Sequence, residues 1–114
     1  WLTDMRRLAA LPNVHCKLSG MLTEAGEHPD AASLAPYVRA LFELFGPQRL
    51  LWGSDWPVLR LSGLAGEYAA WLAMCRGFLA RLSANDRAAV LGGNASRFYR
   101  LEPLAITATA RRPT

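Results

Sequence analysis

The sequence predicts a parallel α/β protein that is incomplete by itself. Three observations point there. Two short runs of strand character, residues 14–19 and 49–54, flank a helical stretch long enough to cross over between parallel neighbours. The second run, Arg49-Leu-Leu-Trp-Gly-Ser54, is apolar on both faces, as in a strand covered on either side. Two parallel strands make no sheet core, because parallel sheets are stable only with both faces covered. The chain therefore reads as part of a larger α/β structure whose other strands lie outside it.

Each element has its own warrant. Leu2, Met5, Leu8 and Ala9 recur at helical spacing, and Pro12-Asn13 stops that helix near Leu11. Val14 to Ser19 alternates and ends at Gly20, the pattern of a strand. Thr23 to Asp30 is a polar loop. Asp30 caps a helix through about Leu44, with Leu34, Tyr37, Val38, Leu41, Phe42 and Phe45 on one face and Gly46-Pro47 ending it. After the second strand, residues 55–66 form a longer loop into a helix over about 67–82, whose core set is Trp71, Leu72, Met74, Phe78 and Leu79. Ser83-Ala-Asn-Asp86 resembles a capping box and opens a short helix that ends at Gly92-Gly93. Asn94 then caps a last turn reaching Tyr99, and residues 102–114 form an aperiodic tail expected to be disordered.

Composition narrows the function. At 114 residues, 52% hydrophobic and 19% charged, the chain allows one modest soluble domain, with no apolar span long enough for a membrane. The formal charge of +4 comes from scattered arginines and makes no basic stripe, which argues against nucleic acid as a partner. Cys16 and Cys75 lie far apart in different elements and read as reduced thiols of a cytoplasmic protein. The chain opens on Trp1 inside a helical pattern with no signal peptide in view, so it is expected to continue upstream.

In parallel α/β proteins, functional groups gather where strands give way to the following loops. Both strands end there in polar residues: Lys17 and Ser19 on the first, Ser54 and Asp55 on the second. Alternation puts His15, Lys17 and Ser19 on one face of the first strand, and Leu51, Gly53 and Asp55 on one face of the second. If these faces match, Asp55 stands beside Ser19. A buried carboxylate needs a metal, a cation or hydrogen-bond donors; otherwise it neutralises. Such an acid is suited to binding a metal or taking a proton from water.

Three blocks carry a family likeness: NVHCKLSG at 13–20, FGPQRLLWGSDWPV at 45–58 and GNASRFYRL at 93–101. In this order and spacing, over nearly all of residues 1–101, they resemble the amidohydrolase-related family, and within it the sugar-lactone hydrolases. The resemblance implies that residues 1–101 are the C-terminal part of a (β/α)8 TIM barrel, carrying its seventh and eighth strands. It implies that Asp55 is the catalytic acid–base residue and a ligand to a divalent metal, zinc or manganese, in those members that use one. The family also has metal-independent members, so the resemblance leaves that choice open. The other catalytic positions in the family are histidines of earlier strands, and His15 and His28 do not match them. The chain alone is therefore expected to be inactive and to associate with itself or another chain.

Each residue also has a plainer reading. Asp55 could cap the turn after a strand. Lys17 could meet a substrate oxyanion and Ser19 line the site, or they could be a structural lysine and a strand-end hydroxyl. Trp56 walls the pocket or packs beneath its loop, and Trp52 belongs to the core with Leu50. His15 reads as a satisfied structural histidine and His28 as loop surface. Asn94-Ala-Ser96 fits a glycosylation pattern, but a helix cap explains it better. Two other functions stay open: a metal-dependent decarboxylase sharing the strand-end aspartate, and a non-catalytic association domain.

Overall fold

The computed structural model describes residues 1–102; the tail expected over residues 102–114 lies outside them except for Glu102. The order is α1 (Leu2–Ala9), β1 (Cys16–Leu18), α2 (Met21–Glu24), α3 (Ala31–Phe45), β2 (Leu50–Trp52), a 3-10 segment (Val58–Gly66), α4 (Tyr68–Leu79), α5 (Ala84–Ala88), a π-helical turn (Ala89–Gly93) and α6 (Asn94–Phe98). β1 and β2 pair in parallel, with Cys16 opposite Leu50, Lys17 opposite Leu51 and Leu18 opposite Trp52. The expected helix–strand–helix–strand order and strand direction are both present.

One face of this pair carries the core. Leu18 and Leu50 pack with Leu34, Val38, Leu41 and Phe45 of α3 and with Trp71, Cys75 and Leu79 of α4. Trp52 joins them at the edge, its ring edge-on to Tyr68. Of the expected α3 face only Tyr37 stands out of this core: it is exposed, with Trp1 edge-on to it. Burial pushes the Cys75 thiol up to about 12, and both cysteines are free.

The helix ends follow from the sequence. Asp30 accepts from the Ser33 amide at 2.8 Å, and the Ser33 hydroxyl accepts from the Asp30 amide at 3.1 Å, a reciprocal cap. The Ser33 amide holds the Asp30 carboxyl below its usual range. Gly46 ends α3 with φ 69°. Ser83 accepts from the Asp86 amide and starts α5 as expected.

Three departures concern segments read as loops or ends. Met21–Glu24 and Val58–Gly66 are helical turns, packed on each other at the ends of the two strands. The first is a single turn, and the second is a 3-10 segment broken at Ser62 and Gly63 (φ 64° at Gly63), so neither shows a continuous helical period. The third is Gly92-Gly93, which does not end a helix. The backbone stays helical through Gly93 (φ −59°, ψ −41°) as a π turn, and Asn94 is no cap. Its side chain, 2% exposed, is buried under β2, with Nδ2 donating to Pro47 O at 2.7 Å and Leu50 O at 2.8 Å. An extra residue in a helical turn rotates the side chains beyond it, and here that rotation aims Asn94 at the strand. A side chain so engaged carries no glycan.

Candidate active site

The second strand stops at Trp52, and the chain beyond it is shaped by small residues. Gly53 donates its N–H to Leu18 O at 3.2 Å, the last rung of the parallel ladder. A Cβ on Gly53 would lie 3.1 Å from Ser19 Cβ and 3.3 Å from Ser19 Oγ. Glycine is therefore what lets Ser19 pack against the second strand. Ser19 and Gly53 share a face, as alternation requires.

β1 ends just before this point. Gly20 turns left-handed (φ 71°, ψ 1°) and starts α2, so the ladder cannot continue. Opposite it, Asp55 is also left-handed, with φ 56°. Aspartate tolerates that conformation better than most residues, at some cost in strain. The turn brings Asp55 Oδ2 within 3.8 Å of where a Gly20 Cβ would be. The carboxylate thus crosses from the end of one strand to the end of the other.

That carboxylate is half-buried, and among the described residues it has neither an ion pair nor a side-chain hydrogen bond. Its backbone is held, with the Leu59 amide donating to Asp55 O at 2.9 Å. A carboxylate without a partner and open on one side is free to meet a water molecule or a cation. No group of three or more histidine, cysteine, aspartate or glutamate side chains able to hold a metal is present among the described residues.

The four expected site residues are not gathered into one pocket. Lys17 and Ser19 line a groove of ≈ 630 Å³ along β1, walled by Trp1, Tyr37 and Leu41. Asp55 lines a separate small recess with Gly20, Leu59 and Trp71; Gly20 and Met21 border both spaces. Lys17 is exposed, and its Nζ lies 5.8 Å from the centroid of the Tyr99 ring. Trp56 is 65% exposed, its amide donating to Ser54 Oγ at 3.2 Å. A wider cleft of ≈ 980 Å³ opens between residues 22–30 and 58–63, lined by Glu24, Glu27, His28 and Leu61, and contains none of the four. The recess itself has no room for water, so any chemistry of Asp55 belongs to the open side of its carboxylate, which lacks partners among the described residues.

His15 differs from its expected satisfied state. Its ring tilts against Phe98 at 4.7 Å, and Nδ1 is buried with no partner among the described residues. Trp71, expected only as core, also donates from Nε1 to Gly53 O at 2.9 Å. Helical spacing marks Trp71 as buried but cannot say that its ring reaches a strand end.

Comparison with known proteins supplies a context for this geometry. A family model described as "Amidohydrolase" matches residues 1–101. An L-fucono-1,5-lactonase from Burkholderia ambifaria is 57% identical over 90% of the chain, and one from Burkholderia multivorans is 43% identical over 89%. The chain spans 36% and 35% of these two curated relatives, roughly a third of their length. A crystal structure of an amidohydrolase from Burkholderia multivorans with bound zinc superposes with a TM-score of 0.81 at 42% identity, covering 90% of this chain and 37% of that one. The same comparison holds for a second crystal form of that amidohydrolase, with bound HEPES.

Proposed function

Because the chain belongs to the amidohydrolase family, we propose that it is the C-terminal portion of a TIM-barrel hydrolase that opens a sugar lactone. In this reading residues 1–101 carry the seventh and eighth barrel strands, β1 and β2, and the face shared by Ser19 and Gly53 looks into the barrel. The substrate class rests on the two L-fucono-1,5-lactonases. The observation that carries the site assignment is the half-buried Asp55 carboxylate, left without a partner where the second strand ends.

Asp55 acts as general base and then as general acid. It accepts a proton from the water whose oxygen attacks the lactone carbonyl. As the ring C–O bond breaks, it returns that proton to the leaving ring oxygen, giving a hydroxy acid. Ser19 lines the floor beside it, Trp56 walls the opening, and Lys17 contributes positive charge on the same face. A divalent metal, when bound, polarises the carbonyl and lowers the pKa of water. A zinc site takes three or more protein ligands. The described residues offer no such cluster, so the chain fits one ligand position, Asp55, and the rest come from outside it.

Asp55→Asn in the whole protein tests the assignment. It keeps the shape of the side chain and removes its base. Lactone hydrolysis is expected to fall by about 10³-fold or more, with an unchanged circular dichroism spectrum. Retained turnover refutes the role. Dialysis against a chelator, followed by zinc or manganese, separates a metal-dependent enzyme from one that works without metal.

A further inference from the structure

Asp55 is held in an uncommon backbone conformation, and something must fix it there. On the Leu59 side, the hydrogen bond from that amide to Asp55 O closes the turn. On the strand side the parallel ladder has run out. Gly53 N–H makes its last rung to Leu18 O, and the next rung would need a β1 residue where Gly20 has already turned away. The Gly53 carbonyl is instead taken by Trp71 Nε1, at 2.9 Å, from the first turn of α4. Trp71 is 1% exposed, and its ring packs with Ser54, Asp55, Leu59 and Gly20 around a recess with no room for a water molecule. The Gly53 carbonyl is part-buried beside a recess that holds no water, so without that donor it is left short of a partner. The turn would rearrange to recover a partner.

We propose that Trp71 is a positioning residue for Asp55: its indole N–H replaces the missing ladder rung at Gly53 and so fixes the left-handed turn that aims the carboxylate across Gly20. The inference rests on the reading of Asp55 as the acid–base residue. It assigns a task in the reaction to a helix side chain that touches no substrate.

The test uses the whole protein, with lactone hydrolysis, its pH profile and thermal melting as readouts. Trp71→Phe removes the donor. Replacing the indole by a benzothiophene side chain removes only the N–H and keeps the shape, so it decides the matter if the phenylalanine variant does not fold. Expected for either is a fall in kcat of about 10- to 100-fold with KM within about twofold, and a displaced acid limb of the pH profile. Cys75→Ala, one turn along the same helix face, is the control for general loosening. It should lower the melting temperature and leave kcat and the acid limb in place. If Asp55→Asn is inactive while the folded Trp71 variants keep wild-type kcat and pH profile, the positioning role is overturned and the catalytic assignment survives. If Asp55→Asn remains active, the catalytic assignment itself falls.

Discussion

Arg49 Nη2 donates to Ala9 O at 3.0 Å, joining the start of the second strand to the end of α1 across forty positions of chain. The same guanidinium reaches Leu11 O at 3.0 Å, Val14 O at 3.2 Å, Phe45 O at 3.3 Å and Leu44 O at 3.4 Å. It therefore serves the carbonyl-rich ends of two helices and the lead-in to β1, where their dipoles favour a cation. Its flat side also lies against the Phe45 ring. No acid is involved among the described residues.

Arg49→Lys should accordingly behave as a severe change, not a conservative one. A lysine presents a single point of donation and cannot reach carbonyls in several directions. Arg49→Met removes this donor from all five carbonyls, of which Leu11 O keeps the Val14 amide, and a loss of about 2–4 kcal/mol is expected. Chemical denaturation of the whole protein measures both. A lysine variant as stable as the parent would show that the fork geometry is immaterial.

Gly53→Ala tests the close approach at the strand ends. Its Cβ would stand 3.1 Å from Ser19 Cβ, tighter than ordinary packing, although the backbone itself is not left-handed. Destabilisation of about 1–3 kcal/mol is expected, together with reduced activity as the following Asp55 shifts. Adding Ser19→Gly should recover most of the stability, because the clash partner is gone. A double-mutant cycle reads that coupling, and additive effects would refute the contact.

Alkaline stability should report on Cys75. Its folded pKa is raised by burial from the ordinary 9.0 to about 12. Above about pH 9 the unfolded chain releases this proton while the folded chain keeps it, so the unfolded state is favoured. Stability is full below that pH and falls as pH rises towards about 12. Cys75→Ala should flatten this fall in urea titrations between pH 8 and pH 11, values chosen to bracket roughly the unfolded thiol's transition. An unchanged slope would assign the fall to other groups.

The chain by itself should be inactive and self-associating. One strand edge of β1 has no partner in the two-stranded sheet among the described residues, and large apolar side chains such as Leu61, 83% exposed, and Trp56 face outward. Size-exclusion chromatography with light scattering checks the assembly, and a lactone assay checks the activity. A compact monomer with a cooperative melt would contradict it.

The strands, the crossover helix and its caps are legible in the residues because each depends on neighbours within about four positions. Asp30 with Ser33, Gly46 after Phe45, and Ser83 with Asp86 are all short-range contacts. The short turns at Met21–Glu24 and Val58–Gly66 are not legible, since they hold by packing on each other and show no period of their own. Gly92-Gly93 misleads for a related reason. Glycine permits a helix end but does not require one, and the bonds from Asn94 to Pro47 and Leu50 keep the helix going.

What the sequence alone determined was a chemical expectation: an acid at the end of a buried strand, in a block of residues shared with a hydrolase family. Tertiary structure decided how that acid is held. The left-handed turn at Asp55, the clearance at Gly53 and the reach of Trp71 to the strand end each join segments distant in the chain. Alternation assigns a residue to a face, but only the packed arrangement says which groups meet across it, because those meetings depend on where every intervening element comes to rest.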